Sequence, residues 1–267
     1  MQPVGVSGPE AERAGDRLAA RLADEGRVAT VERGASGSDG ADATASDAVA
    51  TTAVELGDEE RVVRDDARDL PSVLDDLATD HDYVVVVDFP GAQIPQVALG
   101  DADPAGDTVA TAADADALDV DDVCAALDAT EPYETLESLV ARAKQSESAD
   151  RSGAIATFTG RVRAKDSDGD APTEYLEFQK YEGVADERMA TIREELEARD
   201  GVFEVLLHHR TGVVEAGEDI VFVVVLAGHR REAFRTVEDG IDRLKDEVPL
   251  FKKEVTTDEQ FWVHQRS

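Results

Sequence analysis

A continuous run of β-branched residues in the first half of the chain constrains the fold more than any other stretch. Residues 83–88 read YVVVVD. Because this run does not alternate between apolar and polar residues, both of its faces must be buried, which is typical of a central strand in a parallel sheet covered by helices. Asp88 ends the run where α/β sheets often bind ligands, although a capping or turn aspartate is at least as good an interpretation.

The N-terminal residues extend this into an α/β pattern. Residues 4–8 predict a buried strand that ends in a glycine turn, residues 10–24 a helix, and residues 28–31 a second strand. A strand, a glycine turn and a helix could hold a phosphate if the turn matched the pattern G-x-x-x-x-G-K-[ST].

The turn fails that test. Counted from Gly8, the positions that need glycine, lysine and a hydroxyl group hold Arg13, Ala14 and Gly15. The sequence therefore predicts that this turn does not hold a nucleoside triphosphate, and a nucleotide-dependent enzyme is disfavoured.

Over residues 1–128 the chain nevertheless resembles the P-loop accessory protein of molybdopterin guanine dinucleotide synthesis. The resemblance implies a degenerate P-loop-like α/β domain with a parallel sheet and a regulatory or scaffolding role. Five segments carry it: 4–9 (VGVSGP), 27–31 (RVATV), 84–88 (VVVVD), 94–95 (IP) and 118–123 (LDVDDV).

A second domain is predicted over residues 131–267. Residues 101–130 are rich in Asp and Ala and predict a linker or a weakly ordered domain edge. Beyond them strands and helices mix as α+β, with an antiparallel pair at 202–209 and 219–227. The last helix, 232–247, is predicted to face the core with Phe234, Val237, Ile241 and Leu244.

The charge balance excludes several function classes. The chain has 27 Lys and Arg against 60 Asp and Glu, a formal net charge of −33, yet 42% of its residues are apolar. This favours a folded, halophilic, cytoplasmic protein whose acidic surface is screened by salt. Nucleic acid is not an expected partner, because phosphate binding needs a broad basic face. No apolar run approaches the ~20 residues that span a membrane.

Metal and redox chemistry are not indicated either. The single cysteine, Cys124, has apolar neighbours and predicts a small core residue rather than a reactive thiol. The five histidines lack paired spacing, so neither a metal nor a resident cofactor is expected.

Lysine is rare and grouped. Three of the six lysines are Lys245, Lys252 and Lys253. A solvated basic patch is one interpretation, and an ion pair with Asp242 on the same helix would explain Lys245. A lysine beside other cations instead loses its proton more readily and suits acid–base or nucleophilic chemistry.

Further cations are predicted at the ends of elements. Arg161 and Arg163 follow a strand, while His229 and Arg230 precede a helix, whose free N–H groups attract anions. If these ends converge, they form a phosphate-sized cationic pocket, although each arginine could instead pair with a nearby carboxylate.

Several motifs in one order resemble the large, catalytic subunit of molybdopterin synthase over about residues 131–267. They are 153–163 (GAIATFTGRVR), 176–178 (LEF), 221–234 (VFVVVLAGHRREAF), 244–245 (LK) and 249–254 (PLFKKE). The resemblance implies sulfur transfer to cyclic pyranopterin monophosphate, which forms the dithiolene of molybdopterin.

The same resemblance implies partners and site residues. The sulfur comes from the C-terminal Gly-Gly thiocarboxylate of a small ubiquitin-like carrier, within a heterotetramer built on a homodimer of large subunits. Arg266 would serve the neighbouring subunit, and Glu254 is a possible partner of a catalytic lysine. The implied catalytic residues are Lys245 and Lys252, and the implied substrate-binding residues are Arg163, His229, Arg230 and Arg266. Lys253 is an extra amine that departs from the family pattern; it is also expected to bind substrate, and the division of roles between Lys252 and Lys253 stays open. The alternative is a non-catalytic adaptor that only docks the carrier.

Overall fold

The structure of the protein is a computed structural model with two compact units, Met1–Thr135 and Leu136–Ser267. It describes residues 1–33, 50–56, 59–65, 69–165, 167, 169, 171–181, 183–257 and 260–263.

The first unit is a sheet with helices on both faces. The strand order is β4-β3-β2-β5-β1-β6-β7. Strands β2, β5, β1, β6 and β7 are parallel to one another, and β3 is antiparallel to both of its neighbours, β2 and β4. Its elements are β1 (Gln2–Ser7), α1 (Ala11–Leu22), β2 (Val28–Arg33), β3 (Ala50–Leu56), β4 (Glu59–Asp65), α2 (Leu70–Leu77), β5 (Tyr83–Val87), β6 (Gln96–Leu99), β7 (Thr108–Ala112) and α3 (Val120–Leu127).

The β-branched run is the buried central strand β5, as predicted. Val85 and Val87 pack in the cluster that contains α1 and α3, whereas Val84 and Val86 pack in the cluster that contains α2. The parallel strands of this sheet confirm the α/β prediction for the first half.

The prediction of a linker or weakly ordered domain edge at residues 101–130 is wrong. This stretch contains β7 and α3, and Leu118, Val123 and Leu127 are buried in the core. The prediction failed because this stretch contains few apolar residues. Their spacing nevertheless places them on the side of α3 that faces the sheet.

The second unit contains two antiparallel sheets with helices, which agrees with the predicted α+β class. One sheet has the order β10-β12-β8 and the other β11-β9-β13-β14. Its elements are α4 (Leu136–Lys144), β8 (Ala154–Arg161), β9 (Thr173–Lys180), α5 (Val184–Glu197), β10 (Val202–His209), β11 (Gly212–Glu215), β12 (Asp219–Ala227), α6 (Arg230–Glu247), β13 (Leu250–Thr256) and β14 (Gln260–Val263).

Helices cover the three-stranded sheet on both faces. Helices α5 and α6 pack on one face around Ile192, Leu196 and Leu244, while α4 packs on the other through Leu139. The predicted antiparallel pair, β10 with β12, is confirmed. Phe234 is not in the core as predicted but 66% exposed, because Ala233 and Val237 take the inward positions of α6 instead.

The buried Leu196 and the exposed Phe234 give a prediction about the stability of the second unit. Leu196→Ala removes a fully buried side chain and should lower the free energy of unfolding of the second unit by about 2–5 kcal/mol. Phe234→Ala, the control, should change it by less than about 0.5 kcal/mol. Fluorescence of Trp262, the only tryptophan, reports denaturation of this unit. Equal losses in the two variants would contradict the placement of Phe234.

Candidate functional site

Two predicted anion-binding residues lie at the start of α6. His229 is the residue before the helix, has an extended backbone (φ −140, ψ 157) and makes no capping bond through its side chain. His229 and Arg230 are both exposed. The helix start thus presents main-chain N–H groups and a guanidinium group to solvent, which together can bind an anion.

Lys245 lies in the last turn of the same helix. Its Nζ is 5.9 Å from the centre of the Phe158 ring in β8, so the ammonium group borders an aromatic face. Within the part of the chain that the structure describes, no carboxylate lies at ion-pair distance from Lys245. The ion pair with Asp242 that could have explained this lysine is therefore not formed.

The two lysines of β13 lie on opposite faces of the four-stranded sheet. Lys252 is paired across β9 with Phe178, and Lys253 with Glu177. Side chains on successive residues of a strand alternate between faces. Lys253 Nζ is 3.3 Å from Glu177 Oε2, so its charge is balanced on the face away from Lys252.

A threonine that the sequence did not single out holds the carboxylate beside Lys252. Glu254 Oε2 is 3.9 Å from Lys252 Nζ. Thr173 is buried, and its hydroxyl donates a 2.6 Å hydrogen bond to Glu254 Oε1. Thr173 lies 81 residues from Glu254 in sequence, and only the β13–β9 register brings them together.

A small apolar cluster joins the end of β8 to the face that carries Lys252. Val162, one residue beyond β8, is buried with Leu176 and Phe178 of β9. Arg163 follows directly and is exposed. His209 closes the cluster, with its ring edge-on to Phe178 at 4.9 Å between centroids. The fold thus carries Arg163 to the same part of the unit as Lys252.

One chain does not bring all the predicted cations together. Arg230 and Lys245 are separated by fifteen residues of continuous helix, which is about 22 Å at 1.5 Å per residue. The expected convergence of element ends therefore fails for the two ends of α6. Arg266 lies outside the described residues.

The carboxyl end of the parallel sheet in the first unit is acidic. Only three residues connect β1 to α1, from Gly8 to Glu10, and Glu10 has a left-handed backbone (φ 61). Burial raises the pKa of Glu32, and the nearby charges of Glu12, Asp16 and Asp88 raise it further. Such an edge repels a phosphate group.

The described part of the chain contains no group of three or more His, Cys, Asp or Glu side chains that could hold a metal ion. Cys124 is buried and unpaired, and burial raises the pKa of its thiol. None of the helices described is long and apolar enough to cross a membrane.

Comparison with known proteins identifies the family. The family model described as "MoaE protein" matches residues 129–247. A "Probable molybdopterin synthase" of Haloferax volcanii is 57% identical over 266 residues, and the alignment covers 100% of both chains. The chain belongs to the MoaE family.

Two further relatives match part of the chain. The molybdopterin synthase catalytic subunit of Pyrococcus abyssi is 38% identical over 116 residues, covering 43% of this chain and 77% of the relative. The crystal structure of molybdopterin synthase from Staphylococcus aureus covers 51% of this chain and 93% of that chain, at 30% identity and a TM-score of 0.43.

Membership of the MoaE family establishes what class of protein this is. The chain acts in molybdenum cofactor biosynthesis as a sulfurtransferase, which confirms the enzyme prediction over the adaptor. The full-length alignment with the Haloferax protein agrees with a halophilic chain and shows that the first unit is shared with that relative.

The acidic edge of the first unit gives a further prediction. The pKa of Glu32 is raised in the folded state, so the protonated carboxyl group stabilises the fold at low pH, and this stabilisation is lost as pH rises through the raised pKa. At neutral pH the charged carboxylate therefore lowers the stability of the folded state. Glu32→Gln should therefore raise the thermal midpoint of the first unit at neutral pH, more at low salt than at high salt.

Calorimetry of the full chain at several salt concentrations measures this midpoint. Glu25→Gln is the control. Glu25 Oε1 lies 2.6 Å from Arg21 Nη1, so this variant loses an ion pair and its thermal midpoint should not rise. A lower midpoint for Glu32→Gln would show that the carboxylate is not under repulsion.

Proposed function

We propose that the second unit transfers sulfur from the C-terminal thiocarboxylate of a small ubiquitin-like carrier to cyclic pyranopterin monophosphate, forming the molybdopterin dithiolene. The observation that carries this proposal is the contrast between the lysines. Lys245 has no carboxylate partner in the described chain and Lys252 has only a distant one, whereas Lys253 is neutralised by Glu177.

The two lysines share one task in this proposal. The ammonium groups of Lys245 and Lys252 attract the anionic thiocarboxylate and stabilise negative charge as the sulfur bonds to the pterin carbon. As each carbon–sulfur bond forms on the pterin, a carbon–oxygen bond at the same pterin carbon breaks. The thioester that now joins this sulfur to the carrier is hydrolysed: water adds to the acyl carbon, the bond between that carbon and sulfur breaks, and the carrier is left with an ordinary carboxylate. Two loaded carriers supply the two sulfurs.

Glu254 keeps Lys252 in place. Its Oε1 is fixed by Thr173, so its Oε2 remains on the side of the lysine ammonium. The carboxylate lies 3.9 Å from the ammonium group, beyond hydrogen-bond distance, so it orients Lys252 by charge attraction alone.

Two copies of the chain complete the anion site in this proposal. Since about 22 Å of helix separates Arg230 from Lys245, we assign His229 and Arg230 to the site of the neighbouring copy. Arg163 binds the phosphate from the same copy as Lys252, and Arg266 acts across the interface. A homodimer of this chain with two carriers makes the heterotetramer.

The first unit serves as a scaffold in the same proposal, with domain limits at residues 1–128 and 131–267. It is a degenerate P-loop-like domain whose phosphate site has been lost. The three-residue connection from Gly8 to Glu10 and the carboxylates around Glu32 support this interpretation.

A pair of adjacent variants tests the proposal. Lys252→Ala should lower the rate of molybdopterin formation by about 10²–10³, because it removes a charge aimed at the developing anion. Lys253→Ala, the matched control one residue away, should change the rate less than about threefold, because it removes only a partly exposed ion pair with Glu177. The assay supplies cyclic pyranopterin monophosphate and thiocarboxylated carrier in high salt.

Two other outcomes would contradict parts of the proposal. Equal losses in both variants would contradict the assignment of the two faces of β13. Carrier binding by the intact chain without any product, over the full range of salt, would contradict sulfur transfer and favour the adaptor.

A further inference from the structure

Strand β9 carries a one-residue bulge near its start. Val255 of β13 pairs with Tyr175 of β9. The next residue of β13, Thr256, pairs with Thr173, so Glu174 is an extra residue on β9. A bulge of this kind interrupts the alternation of side chains and can turn a side chain toward a functional site. The bulge therefore decides which face of the sheet Thr173 occupies.

The burial of the strand shows the result of this bulge. In a regular strand, Thr173 and Leu176 would lie on opposite faces, because they are three residues apart and side chains alternate. Instead, Thr173 and Leu176 are both 7% exposed, whereas Glu174 is exposed. Leu176 pairs with Glu254 across the two strands, so these two side chains share a face. The bulge thus turns Thr173 onto the face that carries Glu254 and Lys252.

The main chain around Thr173 is anchored to two other segments. Its N–H group donates a 2.8 Å hydrogen bond to the carbonyl of Ala164, the residue that follows Arg163. The carbonyl of Pro172 accepts a 3.1 Å hydrogen bond from the N–H group of Thr257. Neither bond uses the hydroxyl group of Thr173. A change of this side chain therefore leaves the segment that carries Arg163 in place.

The hydroxyl group of Thr173 restrains one oxygen of Glu254. It donates a 2.6 Å hydrogen bond to Oε1, while Oε2 stays 3.9 Å from Lys252 Nζ, beyond hydrogen-bond distance. A carboxylate released from Thr173 would turn and accept a hydrogen bond from the ammonium group, since a charge-assisted bond is stronger than attraction across a gap. The threonine thus keeps Lys252 oriented and available to an anion.

We propose that Thr173 is a positioning residue for sulfur transfer, which acts through Glu254 to orient Lys252 and to prevent a direct ion pair between the two. The inference rests on the proposed function, because it takes Lys252 as a catalytic residue. It adds to that function a residue that acts through another side chain and that the bulge in β9 puts in place.

Two substitutions separate the hydroxyl group from the packing of the side chain. Thr173→Val keeps the branched shape and should lower kcat about tenfold, because Glu254 then pairs directly with Lys252. Thr173→Ser keeps the hydroxyl group and should stay within about threefold of the wild-type kcat. The KM for cyclic pyranopterin monophosphate should change less than about twofold in both variants, since the bond to Ala164 is retained.

A double-mutant cycle on the full chain distinguishes positioning from a general effect on the fold. If Thr173 acts through Glu254, Thr173→Val should change kcat less than about twofold in a chain that already carries Glu254→Ala. Thr191→Val is the matched control, because the Thr191 hydroxyl bonds only to the main-chain carbonyl of Glu187 within α5. This control should leave both kcat and KM unchanged.

Four results would overturn the inference. A wild-type kcat in Thr173→Val, while Lys252→Ala loses activity, would remove the positioning role and leave the proposed function standing. An undiminished effect of Thr173→Val in the Glu254→Ala chain would assign that effect to the fold. A loss that Thr173→Ser shares in full would assign it to packing. If Lys252→Ala itself keeps the wild-type rate, the proposed function fails and this inference with it.

Discussion

The packing of α6 against β12 and β8 determines where His229, Arg230 and Lys245 lie. Val237, Ile241 and Leu244 fill the space above the sheet, and Gly240 allows a close approach, since a Cβ atom there would be 3.2 Å from Val223 Cγ1. The helix is therefore fixed along its whole length. Its start presents His229 and Arg230, and its last turn holds Lys245 above Phe158. One rigid element thus sets the distance between the two groups of charges.

The register of β13 against β9 is the second constraint. It places Lys252 beside Phe178 and Glu254 beside Leu176, on the face that packs against the end of β8. A shift of one residue would exchange Lys252 with Lys253 and move the neutralised lysine into the site. In a chain with a net charge of −33, a cation stays available only where the register keeps carboxylates at a distance.

The sequence predicted the elements with strong local patterns. The β-branched run of β5, the β10–β12 pair and the last helix were all found, because apolar periodicity is a local property. Helix α3 was missed, since its few apolar residues stand among many aspartates. The inward direction of Phe234 was wrong, because neighbouring apolar residues on α6 competed for the same sheet surface.

The candidate site was predictable in residue types but not in geometry. The motifs around Lys245 and Lys252 named the candidate side chains, and the roles of these side chains stay predictions. The opposite faces of Lys252 and Lys253, and the bond from Thr173 to Glu254, depend on strand pairing across about 80 residues, for which no local signal exists. The separation of Arg230 from Lys245 follows from helix geometry and contradicts a pocket within one copy.

Mixing two inactive variants tests the account most directly. Co-expressed Lys245→Ala and Arg230→Ala chains form mixed dimers, and in each one site receives both altered residues and the other receives neither. Random mixing should therefore restore about a quarter of the wild-type rate of molybdopterin formation, although each variant alone is nearly inactive. If mixed dimers form and remain as inactive as the single variants, the two residues act within one copy and the shared site is wrong.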